Sequence, residues 1–344
     1  MLRVGIAGIG SMGRVHLDRY CLLMQEGAPV SVTAIFDINK DNYLKAVEAH
    51  SDLKNQINYY DDFAKMIDYE NLDAVDIVLP DYLHCECSCY ALLHGVHVLC
   101  EKPMALSAED TDKMLQVSQK TGNFLMIAHC CRYMEENKIL KNFVESGELG
   151  LLRMANFYRM SSSPVRHSLQ NWYLDQNKSG GCIMDMHIHD IDLAQWIFGM
   201  PEAISALGLI VSENAGIDCI SAQYRYPGFV VHLTSDWSLA GKAIPFMSGY
   251  SAHFEGGTVF NQDGIVTLYK SDAEPVILHG NPEKDSYFEE IKTFIHCLEG
   301  TERKKVSNAF DAALAVKIAL LEEESVRLNG KWKEITDSAF KSRS

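Results

Sequence analysis

With 344 residues, 47% of them hydrophobic and 22% charged, the chain is long enough for two cores and too apolar for wholesale disorder. Its 31 Lys and Arg against 46 Asp and Glu give a formal charge of −15, a field that repels nucleic acid and anionic membranes and suits a small polar partner. The opening apolar run carries no small-residue cleavage site, no stretch reaches the roughly 18 apolar residues of a membrane span, and the 10 cysteines are expected as reduced thiols of a soluble cytoplasmic protein.

Arg3 to Ala7 reads as a strand, Gly8-Ile9-Gly10-Ser11-Met12-Gly13 as a turn, and the apolar spacing through Val15, Leu17, Tyr20, Leu22 and Leu23 as a helix. A second strand, Val30 to Phe36, ends at Asp37. A strand before, a helix after and a later acidic residue turn a weak Gly-x-Gly-x-x-Gly match into a specific one for a dinucleotide. Gly8 permits the tight turn, Gly10 lets the backbone approach a pyrophosphate at the helix N-terminus, and Gly13 allows helix and strand to pack closely. Asp37 can accept hydrogen bonds from an adenosine ribose and repel a 2′-phosphate, which favours NAD over NADP; Asn39 and Lys40 soften that preference.

The alternation continues with a helix from Lys40 to Leu53, a short acidic helix from Asp61 to Ile67, and a strand from Ala74 to Leu79. Pro80 to His84 opens a helix running to His94. Its Cys85, Cys87 and Cys89 read as buried small hydrophobes rather than a thiolate site, because only Cys85 and Cys89 share a face. Gly95 stops that helix and Val96 to Cys100 is a strand, followed by Glu101-Lys102-Pro103. A parallel sheet with helices on both faces is expected, with ligands at the carboxyl ends of its strands, where Pro80, His84, Glu101 and Lys102 fall. The proline biases Lys102 away from helical geometry. After a helix from Ala108 to Thr121 and a strand from Phe124 to His129 the pattern changes, so the expected domains are residues 1–128 and 129–344. Cys130 and Cys131 point to opposite faces if their segment is extended.

The second part starts with a helix from Glu135 to Ser146 and a strand from Leu151 to Arg159. A polar stretch from Ser161 to Ser179, with Arg166, His167, Asn171, Trp172 and Tyr173, is a plausible substrate wall. It runs into Gly180 to Asp192, which concentrates ionisable groups in an apolar, helix-like segment. On a continuous helix Asp185, His189 and Asp192 share one face, while His187 points away, so Asp-x-His-x-His does not converge on one ion and no metal site is expected. A carboxylate, imidazole, carboxylate row suits proton transfer near neutral pH. Six strands follow: Ile204 to Val211, Cys219 to Tyr226, Phe229 to Trp237, Tyr250 to Glu255, Gly257 to Asn261 and Ile265 to Lys270. They are expected to build an open antiparallel sheet of an α+β domain, closed by helices from Ser286 to Leu298 and from Asn308 to Leu328.

These residues resemble the Gfo/Idh/MocA family of glucose-fructose oxidoreductases and inositol dehydrogenases over nearly the whole chain. The likeness rests on Val4-Gly5-Ile6-Ala7-Gly8-Ile9-Gly10 with Gly13 and His16, on His97-Val98-Leu99-Cys100-Glu101-Lys102-Pro103, and on Gly180-Gly181 with Asp185, His189, Asp192 and Trp196. It implies a Rossmann domain, an α/β parallel doubly wound sheet, followed by an α+β domain with a large, mostly antiparallel open sheet, assembled as homodimers or homotetramers through that sheet. It implies Lys102 as the active-site lysine, Asp185 and His189 as an acid/base pair, and Asp192 as a substrate-contacting carboxylate. Cys182 departs from the pattern where a third glycine is common, and Cys85, Cys87 and Cys89 where small apolar residues are.

The expected catalytic residues are Lys102, Asp185 and His189. Cofactor binding is expected at Gly8, Gly10, Ser11, Met12, Gly13, Asp37, Pro80, His84, Glu101 and Lys102, and substrate binding at Lys102, Arg132, Asn171, Trp172, Asp185, His189 and Asp192. The expected reaction is hydride transfer between NAD, with NADP possible, and a secondary alcohol of a cyclic polyol or sugar. Two rivals are a glycosidase that oxidises its sugar only transiently and a non-catalytic nucleotide-binding regulator; a regulator has no need to keep Lys102, Asp185 and His189 together.

Overall fold

The Gly-turn segment and the apolar alternation after it resolve into successive strands and helices, seen in a computed structural model that describes residues 1–50, 56–162, 171–241, 244–279, 285–300 and 308–335. In chain order these are β1 (Leu2–Ala7), α1 (Ser11–Gln25), β2 (Val30–Phe36), α2 (Lys40–Ala49), β3 (Asn58–Tyr60), α3 (Phe63–Tyr69), β4 (Ala74–Ile77), α4 (His84–Leu93), β5 (His97–Glu101), α5 (Ala108–Thr121) and β6 (Leu125–Ala128). There follow α6 (Glu135–Ser146), β7 (Leu152–Ser162), α7 (Gln176–Ser179), α8 (Ile188–Phe198), β8 (Ala203–Leu209), β9 (Cys219–Tyr226), β10 (Phe229–Leu239), β11 (Met247–Phe254), β12 (Gly257–Gln262), β13 (Ile265–Tyr269) and β14 (Val276–His279). The last elements are α9 (Ser286–Leu298), α10 (Ala309–Arg327) and β15 (Lys333–Glu334).

The chain divides into two units: Met1–Cys130 with Asp285–Ala312, and Cys131–Lys284 with Ala313–Ser344. The first holds a six-stranded parallel sheet in the order β3-β2-β1-β4-β5-β6. Its central strands are buried along their length, Ala74–Ile77 entirely, as expected for strands covered by helices on both faces. Side-chain caps start its helices: Asn39 accepts from the Asp41 N–H, Asp62 from Lys65 and Ser107 from Asp110. Helix α9, which chain order had grouped with the second part, packs in this first unit. It buries Ile291, Phe294 and Ile295, and the Phe294 ring stacks on Phe124 at 6.0 Å.

The second unit carries a nine-stranded sheet in the order β14-β13-β12-β11-β7-β10-β9-β8-β15. The strands were expected to run antiparallel; β10 pairs with β7 in parallel, and the other neighbours are antiparallel. The sheet is thus mostly antiparallel, with one parallel seam where the first strand of the unit inserts between β11 and β10. Strands β3, β14 and β15 escaped the periodicity reading, being three, four and two residues long. All 10 cysteines are free thiols. None of the described helices is long and apolar enough to cross a membrane.

Candidate functional site

The glycine turn is built for a close-approaching anion. Gly8 sits at φ 92°, and a Cβ there would run into the Val78 carbonyl; a Cβ on Gly13 would run into the Gly8 carbonyl, while one on Gly10 would meet open space. The first and third glycines are therefore obligatory for strand, turn and helix to pack, and the second leaves a gap over the backbone. Helix α1 starts at Gly10 with no side-chain cap and no acidic residue in its first turn. Its free N–H groups suit a pyrophosphate, with Ser11 and Met12 supplying the first of them. Asp37, at the end of β2, is buried and accepts from the Ile9 N–H at 2.9 Å and the Asn39 N–H at 2.8 Å. This carboxylate ties the turn to the second strand, next to where a ribose would lie. The arrangement fits a dinucleotide.

At the other strand ends, Glu101 and Lys102 close β5. One Glu101 oxygen accepts from the Lys102 backbone N–H at 3.0 Å, and the other lies 3.2 Å from His16 Nε2. His16 Nδ1 lies 2.8 Å from Asp76, so a fully buried imidazole joins α1, β4 and β5. Burial works against its cation, but the Asp76 and Glu101 carboxylates outweigh it and hold the His16 pKa well above the ordinary value. The sequence drew attention to His16 through a motif and gave no sign of its partners, which come from strands 60 and 85 residues away.

His84 is fully buried, with Nδ1 2.7 Å from the Pro103 carbonyl and Nε2 2.9 Å from the Leu79 carbonyl. Burial lowers its pKa more than the two carbonyls raise it. The ring pins the Pro80 turn to the Glu101-Lys102-Pro103 segment, with both nitrogens engaged inside the unit. Lys102 itself is partly exposed.

In the second unit Gly180 to Asp192 is not one continuous α-helix. Residues Ile183–His187 form a π-helical turn that feeds into α8. A π turn accommodates an extra residue, so the faces on its two sides no longer follow a single 3.6-residue period. The expected row of Asp185, His189 and Asp192 is split accordingly. Asp192 is buried and receives Arg132 Nε at 2.8 Å and Nη2 at 2.6 Å, with Arg132 itself fully enclosed. Both are expected to touch substrate, and the structure binds them to each other. Asp190 receives Arg159 Nη2 at 2.9 Å, another buried pair. His187 is buried with Nδ1 2.7 Å from Ser235 Oγ and Nε2 3.1 Å from Glu322, the latter an ion-pair distance without hydrogen-bond alignment.

That leaves Asp185 and His189 as the partly exposed ionisable groups of the motif. Among the described residues, the hydrogen-bond partner of His189 is not Asp185 but Cys131, whose Sγ lies 3.5 Å from His189 Nδ1. Cys131 sits in a single 3-10 turn, Cys130–Tyr133, rather than in an extended segment, and Arg159 Nη2 approaches its sulfur at 3.8 Å. The two Arg–Asp pairs and Cys131 were not legible as partners of the motif, since they join residues 28 to 60 positions apart.

Trp172 lies in the 3-10 turn Asn171–Leu174, partly exposed and stacked on Tyr173 at 4.0 Å. Arg166, His167 and the side chain of Asn171 lie outside the described residues.

Two family models match the chain: the oxidoreductase family with NAD-binding Rossmann fold over residues 2–129, and the GFO/IDH/MocA C-terminal domain over residues 138–259. The myo-inositol 2-dehydrogenase of Thermotoga maritima is 27% identical over 353 aligned residues, covering 95% of this chain and 98% of that protein. The inositol 2-dehydrogenase of Salmonella typhimurium is 29% identical over 197 residues, which covers 57% of this chain and 54% of the relative. Among solved structures, levoglucosan dehydrogenase in complex with NADH has a TM-score of 0.84 at 19% identity, covering 97% of this chain and 99% of that one. The WlbA dehydrogenase of Bordetella pertussis, in complex with NADH and UDP-GlcNAcA, has a TM-score of 0.82 at 19% identity over 97% and 99% of the two chains. The glycine turn, Asp37 and the two matched domains together make this chain a member of the Gfo/Idh/MocA family, an NAD-dependent oxidoreductase.

Proposed function

We propose that the protein oxidises a secondary alcohol of a cyclic polyol or sugar, with Lys102, Asp185 and His189 as its catalytic residues. The observation that carries this reading is the state of His189: partly exposed and held through Nδ1, it makes no Nε2 hydrogen bond among the described residues, while neighbouring Asp190 and Asp192 are neutralised by buried arginines. Bound NAD would supply the two-electron acceptor. His189 takes the hydroxyl proton at Nε2, Asp185 stabilises the resulting imidazolium and accepts from a neighbouring hydroxyl, and Lys102 donates to the reacting oxygen. Positioning by Trp172, partly exposed in its 3-10 turn, bears on which sugar or polyol fits. The inositol and levoglucosan dehydrogenases among the relatives support the substrate class.

The test is a screen of free polyols and sugars with NAD on protein stripped of bound cofactor, followed by NADH absorbance. Accumulating NADH that disappears in His189→Ala and in Lys102→Ala is the expected result. Near-native turnover in either variant would sink the assignment, and release of product from a glycoside without NADH would replace it with transient oxidation. We further propose a homodimer or homotetramer formed through the nine-stranded sheet, on the strength of Leu207, Leu209, Ile265, Tyr269, Val276 and Ile277, each 46 to 67% exposed on its strands. A single monomer mass by light scattering would overturn that. The 10 free thiols support a reducing, cytoplasmic setting.

A further inference from the structure

We propose that Cys131 is the positioning residue of His189: its sulfur, held by Arg159, accepts the Nδ1 proton and so keeps the Nε2 lone pair facing the substrate. The inference rests on the reading of His189 as the base. A neutral imidazole carries one proton, and which nitrogen holds it is set by the partner of the other. A base acting through Nε2 needs the proton on Nδ1, and therefore an acceptor there. Carboxylates commonly fill that place, yet both carboxylates downstream on α8 are bonded to arginines.

The acceptor present is Cys131 Sγ, 3.5 Å from Nδ1 and within the 4 Å reach of a sulfur hydrogen bond. Cys131 is only 2% exposed, so bulk water does not compete for the sulfur. The Arg159 guanidinium has donors only and reaches the same sulfur at 3.8 Å. That contact fixes the position of the thiol beside the ring. Arg159 is itself aligned by Asp190, the residue after His189 in sequence, so the base and its support share one helix turn. When His189 takes the substrate proton at Nε2, Nδ1–H still donates to sulfur, and no proton has to leave the buried side of the ring. Carbon–hydrogen bond cleavage on the substrate is unaffected by this relay; Cys131 forms no bond and exchanges no electron.

The test compares the wild-type chain with Cys131→Ser and Cys131→Ala, each checked for folding by circular dichroism and for NADH binding. The first readout is independent of turnover: the His189 ring 13C and 15N shifts, assigned with His189→Gln, report the tautomer. The expected result is an Nδ1–H ring in the wild type and in Cys131→Ser, and a mixture or the Nε2–H form in Cys131→Ala. An Nε2–H ring in the wild type, or a tautomer indifferent to Cys131→Ala, overturns the proposal whatever the activity. The second readout is kinetic, on a substrate found by the screen. Cys131→Ala is expected to lose roughly 10- to 100-fold in kcat, with KM for NAD unchanged and the pH profile of kcat displaced, and Cys131→Ser to recover most of it. A Cys131→Ala enzyme with wild-type kcat and pH profile overturns the positioning role. If the tautomer result holds while His189→Ala keeps its activity, the base assignment is what has failed.

Discussion

Arg132 and Asp192 are both sealed from solvent and joined by two hydrogen bonds, Nε to Oδ2 at 2.8 Å and Nη2 to Oδ1 at 2.6 Å. The fork-shaped guanidinium matches the carboxylate edge on, which fixes the start of the second unit, just after Cys131, against α8. The adjoining Trp196 ring lies 6.0 Å from the Arg132 guanidinium and 4.9 Å from Lys141 Nζ, extending the contact to α6.

The first prediction follows from that pair. Leaving one buried charge without its partner costs about 3–5 kcal/mol, whereas replacing both by apolar groups of similar volume can be neutral. Asp192→Asn and Arg132→Met are each expected to lower the denaturant midpoint strongly, and Arg132→Met with Asp192→Leu to recover most of the loss. If Asp192→Asn leaves the midpoint unchanged and raises only the substrate KM, Asp192 touches substrate as its motif implies, and the buried pair is not what holds the helix.

Motif and chemistry were legible here at different depths. The glycine turn, Asp37, Lys102 and the helical motif are local, and strand, turn and helix signals placed them. The parallel seam between β7 and β10 was not, because two strands some 70 residues apart in sequence carry no pattern that names their partner. Nor was the sorting of three acidic and two imidazole groups within Gly180 to Asp192. Periodicity assigns faces only while the helix keeps one period, and the π turn at Ile183–His187 ends it. What decides which carboxylate faces solvent is the location of Arg132 and Arg159, a tertiary fact.

A second prediction concerns pH. His16 has a folded-state pKa raised well above 6.5, through Asp76 and Glu101 acting against burial. A raised histidine stabilises the fold fully below its unfolded value and loses that contribution as pH rises through the folded value. Stability should therefore fall on the alkaline side of pH 6.5, and His16→Gln should flatten that limb while lowering stability at neutral pH. Urea melts of both proteins between pH 6 and 9 check it; parallel curves would remove His16 from the linkage.

A third prediction concerns cofactor choice. Asp37 combines a buried negative charge with the bonds that hold Ile9 and Asn39. Asp37→Ser is expected to narrow the preference for NADH over NADPH by roughly tenfold, about 1.4 kcal/mol, and to weaken both because the turn loses an acceptor. Fluorescence titrations with the two reduced cofactors measure this. Tighter wild-type binding of NADPH would contradict the role given to Asp37.

The last prediction separates the two histidines of the motif. His187 is enclosed between Ser235 and Glu322, and Glu322 also receives the Tyr224 hydroxyl at 2.6 Å, so four buried polar groups depend on one another. Burial, and next the Glu322 charge, push the Tyr224 phenol far up, which keeps it a donor at any pH the fold survives. His187→Ala opens a cavity and leaves Ser235 and Glu322 short of a partner, a loss of roughly 1–3 kcal/mol for each unsatisfied group. The variant is expected to unfold at lower temperature yet to keep the wild-type pH profile of kcat. His189→Ala is expected to do the reverse, folding normally while kcat falls by roughly 10²- to 10⁴-fold. Thermal melts and pH–rate profiles of both variants decide the matter, and a displaced pH profile in folded His187→Ala would transfer the proton-handling role to the buried ring.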